Sequence, residues 1–180
     1  MTDTDLPLES LTSVSSPVGP LILGATRDAL CLLECADEER LQPRLAHLRK
    51  RHAASLGAAP NPLLGRLREQ LAEYFTGSRR QFDAPLAYAG SPFQRQVWGV
   101  LCEIPYGQTW SYLDVARRLG DPLATRAVGA ANGMNPIAIV IPCHRVVNAD
   151  GKLGGYGGGL WRKRILLDLE LGQGTLSLES

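Results

Sequence analysis

Eighteen consecutive residues, FTGSRRQFDAPLAYAGSP from 75 to 92, carry neither helical nor strand periodicity, and they separate two unlike halves of a 180-residue chain. A stretch so punctuated by Gly, Pro and Ser reads as a linker. The expected architecture is therefore two small α/β domains, over 1–90 including the linker and over 91–172, followed by a tail over 173–180. Ahead of the linker, 11–16 (LTSVSS) and 20–35 (PLILGATRDALCLLEC) are β-rich and interrupted by Gly24 and the polar TRD, as in a hairpin. Two helical patterns follow. Residues 37–52 carry Leu41, Leu45 and Leu48 on one face, and 62–76 carry Leu63, Leu64, Leu67, Leu71 and Phe75.

Past the linker every element is short. FQRQVWGVLCEI, 93–104, puts Val97, Val100, Leu101 and Ile104 on one stripe, with Cys102 beside it as an expected core thiol. SYLDVARRLG opens with Ser111 and Asp114 spaced as a capping pair and stops at Gly120. Asp121 and Pro122 then suit the N-cap and first turn of a helix running to Gly133. Two short helices joined at a glycine form a helix-turn-helix, which is a DNA-binding device in some proteins and plain packing in most.

The second of these helices is unusually thin. Ala124, Ala127, Gly129, Ala130 and Ala131 are small, and Arg126 is its only long cation. An ordinary helix is about 10–12 Å across, too wide for a minor groove of about 6 Å. One stripped to Ala and Gly can press against a widened minor groove; the competing reading is close packing in a core.

Charge adds little. Lys and Arg exceed Asp and Glu by one over the chain, while 91–172 hold nine basic against six acidic side chains, so a nucleic-acid surface belongs in the second half. The acidic, polar start MTDTDLPLES is unlike a secretory signal, and no apolar run approaches a membrane span, so a cytoplasmic protein is expected. Cys31, Cys35, Cys102 and Cys143 form neither a disulfide framework nor a CxxC pair, and no metal site is expected.

The stretch IVIPCHRVVN, 139–148, places Cys143 between a proline and His144 at the end of an apolar run expected to be a buried strand. By itself such a cysteine is either a small buried hydrophobe or a nucleophile. His47 and His52 lie in the other half, so a base for Cys143 would have to be His144. Asn135, before Pro136, suits a tight turn whose backbone its amide can bond. The loop GKLGGYGGGL surrounds Tyr156 with five glycines, which lets backbone approach a planar ligand closely.

Together, FQRQVW, IPYGQTWSY, TRAVGAANG, NPIAIVIPCHRVV and GKLGGYGGGLWRKRILLDLE closely resemble the O6-alkylguanine-DNA alkyltransferases, strongly over about 91–171 and only in layout before that. The resemblance implies an N-terminal ribonuclease-H-like half, a helical C-terminal half built on the helix-turn-helix, and a suicidal repair reaction. Cys143 would accept the alkyl group, His144 would deprotonate it through a water, Glu170 would orient His144, and Asn135 would brace the hinge. Tyr112 would crowd the target's phosphate and hydrogen-bond the guanine. Arg126 would fill the space left by a flipped base, with Ser111, Tyr112, Thr125, Ala127, Gly129 and Ala130 beside it on the DNA. Trp98, Val146, Tyr156 and Gly157 would line the pocket. Gly157 stands where many relatives carry serine, so a hydroxyl contact is lost there.

The implied partner is duplex DNA carrying O6-alkylguanine, with O4-alkylthymine a further candidate. A monomer is expected, with clustering on DNA left open, and no cofactor or membrane is implied. The chemistry is coherent, because an alkyl carbon on O6 is an electrophile inside a base stack, reached by extruding the nucleotide and presenting a thiolate. A regulator without chemistry would bind DNA and form no adduct. A cysteine hydrolase would turn over.

Overall fold

A computed structural model describes residues 6–53, 56–57 and 59–172, so the tail over 173–180 lies outside the described residues. The chain forms two compact units: residues up to Gly90 together with Pro136–Val140, and Ser91–Asn135 together with the chain from Ile141 onward.

The first unit is built on an antiparallel sheet of β1 (Ser10–Val14), β2 (Leu21–Ala25) and β3 (Leu30–Cys35), in that spatial order. Polar side chains close both turns. Ser16 Oγ donates to Gly19 C=O and accepts from Val18 N–H, while Thr26 Oγ1 accepts from Ala29 N–H. Every residue of the central strand β2 is buried. Ile22 clusters with Leu45 and Leu48 of α1 (Glu38–Arg51), and α2 (Pro62–Phe75) also packs on β2. In α2 the buried ring is Tyr74, with Phe75 only partly covered. Gly24, expected to interrupt the hairpin, lies inside β2 instead. A Cβ there would come within 2.8 Å of Leu8, so close packing and not a turn explains the glycine.

The outer edge of β3 corrects two further expectations. Pro85 C=O accepts from Leu30 N–H, and Leu30 C=O accepts from Ala87 N–H, so part of the apparent linker is a sheet edge. Pro136 and Ala138 bond Leu33 in the same way. The apolar run 137–141, expected as a strand, makes only this one bridge and then turns, with Ile139 at φ 70°. A β-branched residue held there costs about 1–3 kcal/mol, which its surroundings must offset. Both segments satisfy β3's edge with a few backbone bonds, too few to leave a side-chain period.

The second unit packs α3 (Pro92–Leu101), α4 (Tyr112–Arg118) and α5 (Thr125–Gly133), and adds α6 (Leu160–Glu170). Ser91 with Gln94 and Ser111 with Asp114 form complete capping boxes. Gly120 takes φ 84° just past α4, and Asp121 caps a short 3-10 turn, Pro122–Ala124, from which α5 begins. Val97, Leu101, Val115, Val128 and Ala131 fill the space between these helices. Cys102, expected in that core, is exposed, because α3 ends at Leu101 and the following turn carries the thiol outward.

Trp98 ties α3 to α5: it is buried, and its Nε1–H donates to Ala131 C=O at 2.9 Å. Trp98→Phe is expected to cost about 1 kcal/mol for the lost bond, and Trp98→Ala about 3–5 kcal/mol, in urea unfolding of the whole chain.

Candidate active site

Cys143, His144 and Arg145 form one 3-10 turn followed by β5 (Val146–Val147), which pairs in parallel with β4 (Trp110–Ser111). Asn135, two residues past α5, donates its amide to Ile141 C=O at 2.8 Å, bracing the chain two residues before the thiol. All three residues of the turn are buried, with Cys143 5% exposed and His144 fully enclosed.

Glu170, the last residue of α6, organises this turn. Its Oε1 accepts from His144 Nε2–H at 2.7 Å. Arg145 grips the same carboxylate with Nε on Oε2 at 2.8 Å and Nη2 on Oε1 at 3.0 Å, while its Nη1 donates to Ile104 C=O. Burial by itself pushes the Glu170 carboxyl up, but the hydrogen bonds and charges of His144 and Arg145 outweigh it and hold it well below the usual carboxylate range. Burial lowers His144 despite the Glu170 charge, so the imidazole is neutral. A carboxylate only accepts, so Nε2 carries the proton and Nδ1 the lone pair. That Nδ1 has no partner among the described residues. A neutral, oriented imidazole with a free lone pair is a base awaiting a proton.

Around the thiol, burial pushes Cys143 up, opposed by a hydrogen bond from Asn135, by the Lys163 charge and by backbone N–H groups. Lys163 of α6 is fully buried and donates to Val146 C=O at 2.6 Å and Gly155 C=O at 3.1 Å. Burial lowers it to about 8, with the Cys143 charge acting the other way. Tyr112 lies above Lys163, whose Nζ is 6.0 Å from the ring centre, and its hydroxyl donates to Gly155 C=O at 3.4 Å. Burial, then the Cys143 charge, raises its phenol. The glycines let the loop close in, since a Cβ at Gly154 would stand 3.1 Å from Tyr112 and one at Gly158 2.9 Å from Tyr156. Val146 is wholly buried, whereas Gly157 is exposed. Trp98, expected at the pocket, sits in the helical core described above.

The thin helix leaves its small face in solvent. Arg126, Ala127 and Ala130 are exposed, Gly129 lies 3.9 Å from the Tyr112 ring, and Val128, Ala131 and Asn132 point inward. Arg126, Gly129, Tyr112, Thr125 and Leu123 line one open groove of about 560 Å³. The hydroxyls of Ser111 and Thr125 are both engaged locally, Ser111 in its capping box with Asp114 and Thr125 as a donor to Pro122 C=O at 3.0 Å.

Sequence reasoning missed Arg145 and Lys163. One signal was available. Lys163, Leu166, Leu167 and Glu170 share the buried stripe of α6, and charged residues on an apolar helical stripe are there for a partner.

Residues 92–172 match the model of the 6-O-methylguanine DNA methyltransferase DNA binding domain, and 11–88 match that of the ribonuclease-like domain of the same proteins. The chain is 46% identical over 158 residues to the methylated-DNA–protein-cysteine methyltransferase of Mycobacterium tuberculosis, covering 88% of this chain and 90% of that one. An inducible Bacillus subtilis protein of the same name is 49% identical over 122 residues, 68% of each chain. The crystal structure of M. tuberculosis O6-methylguanine methyltransferase superposes with a TM-score of 0.73 at 41% identity, over 93% of this chain and 96% of that one. A second M. tuberculosis structure, in complex with DNA, gives 0.76 at 40% identity over the same shares.

Both acid–base shifts have the same sign for stability. Glu170 and His144 have folded pKa values below their unfolded ones, so the stability they contribute is present above about 4.3 and about 6.5 respectively and is lost as pH falls below each. The urea midpoint should therefore fall from pH 7 to pH 4. Glu170→Gln should flatten that slope and cost about 3–5 kcal/mol at pH 7, because Arg145 is left buried without its counter-charge.

Proposed function

This chain belongs to the 6-O-methylguanine DNA methyltransferase family, and from that premise we propose that Cys143 is the cysteine on which its reaction ends. The protein repairs DNA by transferring an alkyl group to its own cysteine. The observation that carries the assignment is the hydrogen-bonded series Arg145–Glu170–His144, which ends in an imidazole lone pair without a partner among the described residues, on the residue that directly follows the buried Cys143. The thiolate attacks the alkyl carbon on O6 of guanine, an S–C bond forms, and the C–O bond breaks with its electron pair passing to the base. A thioether offers no leaving group for a second step, so each molecule acts once. Asn135, the Lys163 charge and the turn's N–H groups stabilise the thiolate.

Cys143 is almost sealed from solvent, so a guanine inside a duplex stack has to be extruded to reach it. The exposed Ala127–Ala130 face of α5 is narrow enough for the minor groove, and Arg126 stands on it where it would replace the lost base. Phosphate contacts come from this half, with Tyr112 beside the target. O4-alkylthymine, whose alkyl group is equally accessible after flipping, is a second substrate. The target is DNA and no described helix is long and apolar enough to cross a membrane; we assign the protein to the cytoplasm as a monomer whose copies can gather along DNA. We also assign 1–90 to the ribonuclease-like domain and linker, with 91–172 as the DNA-binding and transfer domain.

Incubation with a duplex containing O6-methylguanine should add one methyl, about 14 Da, to the peptide holding Cys143, and excess lesion should saturate at one event per protein. Sustained turnover would falsify the single-use reading. Cys143→Ser should abolish transfer while keeping DNA affinity.

Arg126 is tested by Lys and Ala replacements on two substrates. If it fills the stack, lysine is a poor substitute for the planar guanidinium, and both variants should slow duplex repair by at least about tenfold. Both should keep the wild-type rate with free O6-benzylguanine. A mild Arg126→Lys effect that shrinks further with salt would make Arg126 a phosphate contact instead.

A further inference from the structure

The inward face of α5, behind Arg126, Ala127 and Ala130, carries a buried amide that the reaction as described does not use. Asn132 is 4% exposed, and its Nδ2 donates to the Cys143 C=O at 3.5 Å. That bond fixes the amide's orientation, since a flip would set two carbonyl oxygens against each other. Its Oδ1 is then a buried acceptor without a donor among the described residues, and His144 Nδ1 is a second one. Both belong to residues that meet at the Cys143–His144 peptide unit. Asn132 reaches the Cys143 carbonyl through its hydrogen bond, and that carbonyl is joined by the peptide bond to His144, whose ring Glu170 holds by Nε2. A pair of buried acceptors flanking one polar site is the setting in which proteins hold an internal water, whose two O–H bonds satisfy two acceptors at once.

We infer that Asn132 is a positioning residue for thiol activation: its Oδ1 and His144 Nδ1 together hold one water with its oxygen lone pair turned to Cys143. The step balances. The S–H proton passes to the water oxygen as one of the water's own protons moves to Nδ1, re-forming water and leaving a thiolate and an imidazolium bonded to Glu170. The thiolate then forms the S–C bond as the C–O bond breaks, its electron pair goes to the guanine, and the guanine takes its proton from solvent. Held by one anchor only, the water would spend less time aligned. Helix α5 would thus carry the proposed DNA contacts on one side and a proton-relay anchor on the other. This inference rests on Cys143 being the acceptor.

The test is the pH dependence of the single-turnover rate with free O6-benzylguanine, which needs no DNA, followed by the mass of the Cys143 peptide. The other titratable and charged groups facing the site are Tyr112 of α4 and Lys163 and Glu170 of α6, with Arg145 on the turn itself, and the variant keeps them all. Asn132→Leu, close in shape but without an acceptor, should lose about tenfold at pH 7 and recover towards wild type as pH rises and the thiol ionises directly. The thiolate absorbance should titrate about one unit higher. Asn132→Ala gives the same reading should the leucine variant fail to fold. A loss equal at every pH, or an unshifted thiolate titration, overturns the inference and makes Asn132 a packing residue. A wild-type protein with no adduct on Cys143 overturns the acceptor reading itself, and this inference with it.

Discussion

The second unit is organised around a single buried carboxylate. Glu170 is almost fully enclosed, and a charge in that position is tolerable only because every lone-pair direction it presents is answered by an N–H. Arg145 supplies the compensating charge and two of the donors, His144 a third, and the Gly107 backbone N–H a fourth, on Oε2 at 3.2 Å. The consequence reaches backwards through the turn. With Nε2–H committed to Glu170, the imidazole can hold its lone pair only on Nδ1, so the electrostatics of the core set which nitrogen is left able to accept a proton. The helix end, the 3-10 turn and the tautomer are one interaction seen at three scales.

Lys163 follows the same logic with a different outcome. Its ammonium is buried against two backbone carbonyls and beside Cys143, and burial brings it down to about 8, into the range where a small change in its surroundings alters its charge. When the thiolate forms, the charge on Lys163 is favoured; when the thiol is neutral, burial works against it. Lysine and cysteine are therefore coupled groups, and the site is poised for the moment when negative charge appears on sulfur.

The capping signals were legible because they are local. Ser111 with Asp114, Gly120 and Asp121 with Pro122 each act within a few residues, and the helix-turn-helix stands where they put it. The small face of α5 was legible too, since a stripe of Ala and Gly around one Arg is a statement about width. Errors arose where pairing is non-local. Pro85–Ala87 lacks periodicity because two backbone bonds to Leu30 are all it needs, and the 137–141 run looked like a strand because Ile137, Ile139 and Ile141 are buried, although only one of them bridges. Cys102 was misplaced by one helical turn, where α3 stops sooner than its apolar stripe.

From sequence alone, the family resemblance and the expected pairing of Glu170 with His144 could be read, because both rest on residue types that the quoted motifs spell out. What the sequence could not contain is the sharing of Glu170. That Arg145 and His144 meet one carboxylate, that Lys163 lies fully buried above the thiol's turn, and that Asn132 points inward while Arg126 points out depend on how α5 and α6 close over residues 143–145. Those outcomes belong to the tertiary structure, since burial decides whether a charge needs a partner, and burial is a property of the packed chain and not of any segment within it.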